Sequence, residues 1–116
     1  MKILEIKKSK FIPLLFDVNS KEDVKIIIES LWKEHKKARH IVYAYIIKND
    51  NVIINGYTDD REPKGVAGIP LYTFLNSKNL ENKLLVVIRY FGGIELGKSN
   101  LLRTYLQAAK LLFDND

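Results

Sequence analysis

"LLVVIRYFGGIELGKSNLLRTY", residues 84 to 105, decides the fold. Its first seven residues, "LLVVIRY" (84 to 90), are apolar at every position before Arg89. A strand with one wet face alternates apolar and polar residues. An unbroken apolar run therefore belongs at the centre of a sheet, paired on both edges and covered on at least one side. Gly92 and Gly93 then allow backbone angles that a side chain would forbid. "SNLLRTYLQAAKLLF" (99 to 113) follows as an amphipathic helix, with Leu101, Leu102, Tyr105, Ala108, Ala109 and Leu112 on one broad face and Arg103, Gln107 and Lys110 nearer the polar side.

The flanking segments supply partners for that strand. "KFIPLLFDV" (10 to 18) is a short apolar run containing Pro13, which cannot donate a ladder hydrogen bond, so it is predicted as an edge strand. "SKEDVKIIIESLWKEHKKA" (20 to 38) places Ser20 three residues before Asp23, with Val24, Ile27, Ile28, Leu31 and Trp32 at the spacing of one helix face. "HIVYAYII" (40 to 47) and "NVIINGY" (51 to 57) are rich in β-branched and aromatic residues around the turn-prone "KNDN", and predict a hairpin. Glycines and prolines interrupt "TDDREPKGVAGIP" (58 to 70), after which "LYTFLNSK" makes a short helix with Pro70 in its first turn. The order β-α-β-β-α-β-α predicts an α/β (α+β) protein, one mixed sheet with helices packed against it.

A chain of 116 residues fits one domain, 1–116, and its 47% apolar and 28% charged residues are those of an ordinary globular protein. With no cysteine there is no disulfide framework, thiolate nucleophile or cysteine-bound metal. The start "MKILEIKKSKFIPLLF" is too broken by charge for a secretory signal, and no apolar run approaches a membrane span of roughly 18 to 20 residues. A cytoplasmic protein without membrane contact is expected. The net charge of +5 allows long-range attraction to nucleic acid, acidic proteins or anionic lipid without selecting among them.

Three groups of residues could carry chemistry. Arg89 ends the central strand and Gly97 to Asn100 lead into a helix, whose free N–H groups, with Lys98 nearby, suit a phosphate or carboxylate. The plainer reading is a tight strand-to-helix connection in which Arg89 pairs with a local acid and Ser99 caps the helix. Gly92, Gly97, Lys98 and Ser99 match G-x-x-x-x-G-K-[ST] letter by letter. A P-loop, however, normally follows the first strand of a parallel fold, and too little chain remains here, so the match is read as accidental. "DDREP" gathers Asp59, Asp60 and Glu62, which could share a proton or hold magnesium, but Arg61 inside the cluster favours a salt-bridged loop and no metal is expected. His40 opens a strand and reads as a structural histidine before a general base.

Taken together and in order, "KKSKFI", "ARHIVYAY", "DDREPKGVAGIP" and "VVIRYFGGIELG" resemble the N-terminal domain of the IMPACT family, in its bacterial, YigZ-like branch, from about Lys7 to Phe113. The resemblance implies a two-layer fold similar to the second domain of ribosomal protein S5. It also implies a link to translational control, since eukaryotic relatives inhibit an amino-acid-starvation kinase pathway by binding its activator. Contact with nucleic acid or the ribosome follows from the fold by analogy. Bacterial relatives usually carry a second, ferredoxin-like domain, which is expected to be absent here. This chain has Arg61, Lys64 and Val66 where the family usually has glycine, serine and threonine, and Ser99 and Asn100 where it has glycines.

The resulting expectation is a non-catalytic module, without cofactor, that binds RNA, the ribosome or a regulatory protein through Arg61, Lys64, Arg89, Lys98, Ser99 and Arg103. The other reading is a hydrolase or other enzyme using His40 with Asp59, Asp60 and Glu62, beside the Gly92–Gly93 turn. In either case "DDREP" and "RYFGG" should meet in space, with Arg89 on a carboxylate.

Overall fold

The computed structural model describes residues 1–113. Five strands and three helices follow in the order β1 (Leu4–Ile6), β2 (Ser9–Asp17), α1 (Lys21–Glu34), β3 (His40–Asn49), β4 (Val52–Thr58), α2 (Gly68–Ser77), β5 (Lys83–Tyr90) and α3 (Lys98–Leu111). As the apolar run demands, β5 lies in the middle of a single sheet ordered β1-β2-β5-β3-β4. The expected α+β class is what the structure has, with three differences of detail.

The sheet is antiparallel throughout, where a mixed sheet was expected. Strands β2 and β3, joined through α1, do run the same way, but they leave one strand's width between them. β5 fills that slot antiparallel to both, so the parallel pair never forms. Second, β1 precedes the first expected strand. It is three residues long and joins β2 through Lys7 and Lys8, both left-handed at φ 47 and 68. Such a two-residue hairpin turn ordinarily uses Asn or Gly, so two lysines gave no turn signal. Pro13 is consistent with this arrangement, because β1 pairs only with Ser9 to Phe11 and β2 is a sheet edge beyond that point.

Third, helices cover both faces, making three layers instead of two. Leu85 and Val87 point toward α2 and α3, packing with Phe11, Val42, Ala44, Leu71, Leu75 and Tyr105. The alternate residues Leu84, Val86 and Ile88 point toward α1 and meet Val24 and Leu31. Alternation along one strand thus builds two cores, which is why β5 is apolar at both parities. Helix α1 starts where the sequence placed it: the Ser20 hydroxyl accepts from the Asp23 amide at 3.1 Å, and the Asp23 carboxylate accepts from the Asn19 amide at 2.8 Å. On the far edge, β4 carries no charged residue and exposes Val52 and Ile53. No helix among the described residues is long and apolar enough to cross a membrane.

Candidate functional site

The sheet face that carries Leu85 and Val87 also carries Arg89, with Phe11 and His40 opposite it on the two neighbouring strands. Arg89 and Glu62 are both buried, and the Arg89 Nη1 donates to Glu62 Oε2 at 2.7 Å. The Tyr105 hydroxyl on α3 donates to the same oxygen. His40 Nε2 lies 3.5 Å from Glu62 Oε1. A buried carboxylate needs partners of this kind, since stripping one member from a buried ion pair costs about 3–5 kcal/mol. Burial and the Glu62 charge push the Tyr105 phenol well above its ordinary value, so it remains a proton donor. Two buried atoms at this centre have no hydrogen-bond partner: His40 Nδ1 and Arg89 Nε.

The three carboxylates of "DDREP" diverge. Asp59 accepts from the backbone N–H groups of Gly65 at 2.9 Å, Ala67 at 3.0 Å and Gly68 at 2.7 Å. It closes the loop and satisfies orphan donors at the start of α2, whose own cap residue Ala67 offers no side-chain acceptor. Asp60 accepts from the Ile41 amide at 2.7 Å, tying the loop to β3. Only Glu62 turns inward to Arg89. The divergence arises at a left-handed pair, Asp60 at φ 44 and Arg61 at φ 67, which leaves Arg61 exposed and Glu62 buried. No group of three or more His, Asp or Glu residues among the described residues is arranged to hold a metal ion.

On the other side of the centre, Gly92 donates its N–H to Ser9 Oγ at 3.1 Å, and a Cβ on it would lie 2.1 Å from the Lys8 carbonyl carbon. It serves the packing of the β1–β2 hairpin, so the letter match to a P-loop has no structural counterpart. Gly93 is exposed, at φ 95. The α3 cap is Gly97, at φ 78 and without a side-chain cap bond, so Ser99 does not cap the helix and stands exposed in its first turn.

Between the "DDREP" loop, the end of β5 and the start of α3 lies a cleft of about 290 Å³. Of the expected residues, it brings together His40, Arg61, Glu62, Arg89 and Lys98. Lys64 and Arg103 are exposed outside its lining, and Arg103 Nη2 donates to Asn100 Oδ1 at 2.7 Å. Asp59 and Asp60 brace the loop from behind. Three residues here had not been assigned to the site. Arg39 lines the cleft with its guanidinium 4.3 Å from the Phe91 ring centroid, Glu95 lines it opposite, and Tyr105 underlies it. Tyr105 could have been found, because a tyrosine on the buried face of a helix needs a partner for its hydroxyl.

Comparison with known proteins places this architecture. The model of the Impact N-terminal domain matches residues 7–113. The IMPACT family member YvyE of Bacillus subtilis is 40% identical over 100 residues, covering 86% of this chain and 46% of that protein. YigZ of Escherichia coli is 39% identical over 102 residues, covering 87% and 50%. The chain thus spans about half the length of these bacterial relatives. The crystal structure of a hypothetical protein superposes with a TM-score of 0.90 at 35% identity, covering 97% of this chain and 55% of that one. The two-domain translational regulator Yih1 superposes at 0.59 with 21% identity, over 95% of this chain and 44% of that one, a likeness of fold alone. With strands β2 to β5, the cleft and the ion pair all inside the matched residues, the chain belongs to the IMPACT family and corresponds to its N-terminal domain.

Proposed function

We propose that this chain is a non-catalytic, cytoplasmic module of translational regulation that binds RNA, free or within the ribosome, through the basic rim of the cleft at α3. The observation that carries this reading is the convergence of Arg39, Arg61 and Lys98 on one concave site, with Lys64 exposed in the same loop as Arg61. Phosphates attract such a rim and release counterions on binding, so affinity is gained without base readout. The commitments of the carboxylates support a binding role over an enzymatic one. A general acid or base must reach a reacting atom, whereas Asp59 and Asp60 accept from backbone amides and Glu62 is held by Arg89 and Tyr105. The translational link rests on family membership and on the likeness of fold to a protein described as a translational regulator.

The test is a titration with single-stranded RNA at several salt concentrations. The logarithm of affinity should fall linearly with that of salt, and Arg61→Ala, Lys64→Ala and Lys98→Ala should each flatten the slope by roughly 0.7 per lost phosphate contact. No affinity even at low salt would turn the reading toward an acidic regulatory protein as partner. Turnover abolished by His40→Ala would favour the enzyme.

A further inference from the structure

Helices α2 and α3 lie side by side over one face of the sheet, and between them, open to solvent, runs a groove of about 490 Å³, larger than the cleft. Its walls are rows of side chains at helical spacing. Ile69, Thr73 and Ser77 line it from α2, and Leu102, Leu106 and Lys110 from α3, with Phe74 buried at the base. Ile69 is 48% exposed, and Leu102 and Leu106 are half-buried. No lining residue is shared with the cleft, so the two surfaces can be tested apart.

The groove joins an apolar bed to a cationic border. Helix α2 contains no charged residue and is followed by Lys78, whose Nζ lies 5.6 Å from the Phe74 ring centroid. Helix α3 contains Lys98, Arg103 and Lys110 and no acid. No carboxylate among the described residues lines the groove, whereas α1, on the opposite face of the sheet, carries Glu22, Asp23, Glu29 and Glu34. An occupant must therefore bring apolar side chains for the bed and negative charge for the border. It must also satisfy its own backbone, because the N–H and C=O groups along both walls are spent within α2 and α3. An extended segment would find no backbone partner there, and a helix needs none. From Ile69 to Ser77 the wall rises about 12 Å, room for apolar anchors at i, i+4 and i+7. RNA has no apolar ridge to fill such a bed, and a membrane takes side chains that protrude, where Phe74, Leu102 and Leu106 line a depression. We propose that the α2–α3 groove docks an acidic amphipathic helix of a partner protein, with its apolar stripe over Phe74, Leu102 and Leu106 and its carboxylates toward Lys78, Arg103 and Lys110.

The probe is a synthetic peptide of about 18 residues, leucine at i, i+3, i+4 and i+7 of each repeat and glutamate or alanine elsewhere. One control replaces every glutamate by lysine, and another keeps the composition but scatters the leucines. Titrated into the full chain, the acidic peptide should shift the amide resonances of Thr73, Leu102 and Leu106, and the lysine peptide should bind roughly tenfold or more weakly. Lys110→Glu should narrow that difference, and Ile69→Ser should weaken the acidic peptide several-fold; both positions are exposed, and the comparison of peptides needs neither variant. Equal affinity for the glutamate and lysine peptides, equal affinity for the ordered and scattered ones, shifts confined to the cleft, or no binding at all would each overturn the proposal. So would self-association lost in Ile69→Ser, which would make a second copy the occupant, or RNA affinity weakened by Ile69→Ser, which would make the groove part of a nucleic-acid surface.

Discussion

In the proposed binding role, Arg61 would serve binding at the expense of stability. It sits at φ 67, where a side chain costs about 1–2 kcal/mol and glycine is at ease. Glycine also loses more backbone freedom on folding, by about 0.5–1 kcal/mol, so Arg61→Gly should stabilise the fold by roughly 0.5–1 kcal/mol net. The same change removes a cation from the cleft. A urea midpoint that rises while RNA affinity falls is the expected pair of results, and a midpoint that falls would show that the ion pair of Arg61 Nε with Asp60 Oδ1, 3.7 Å apart, outweighs the relief of the backbone. That Arg89 would meet an acid was legible, because a charge ending an apolar strand must be answered by another. Which acid answers it was not legible. That choice depends on the left-handed turn at Asp60 and Arg61; aspartate tolerates that conformation, but arginine gives no sign of it.

At the level of elements, the polar loop before α2 acts as a brace. Asp59 reaches forward to three amides, two of them at the start of a helix whose own sequence offers no cap. Asp59→Ala should therefore cost about 3 kcal/mol, the scale of several charge-assisted bonds lost together. Asp59→Asn, which keeps one acceptor oxygen, should cost less. Chemical denaturation of the two variants checks this ranking. Unchanged stability in Asp59→Ala would return the residue to the list of groups free for chemistry. The long elements were readable in advance because each repeats its signal: α1 through its cap and apolar face, the β3–β4 hairpin through β-branched residues, and β5 through its unbroken apolar run. Strand β1 was not, since three residues are too few for periodicity and its turn is made by lysines.

Across the whole molecule, the two-sided apolar pattern of β5 announced a central strand, but not that both of its neighbours would run against it. Strand direction depends on the path of the chain between elements, and local sequence does not encode that path. The central position of β5 has a consequence for the order of events during synthesis. The strand that joins β2 to β3 is the last of the five described strands to be made, at Lys83–Tyr90. Until it emerges, the nascent chain holds two separate hairpins, β1–β2 and β3–β4, whose inner edges have nothing to pair with. A chain ending at residue 82 should accordingly show little protection of its amides from hydrogen exchange, and protection comparable to that of the full chain would count against this order. Folding of this sheet then waits until β5 enters the slot and α3 can bring Tyr105 to Glu62. The cleft, bordered by β5 and α3, is completed only then, so a ligand cannot be held there before both have been made.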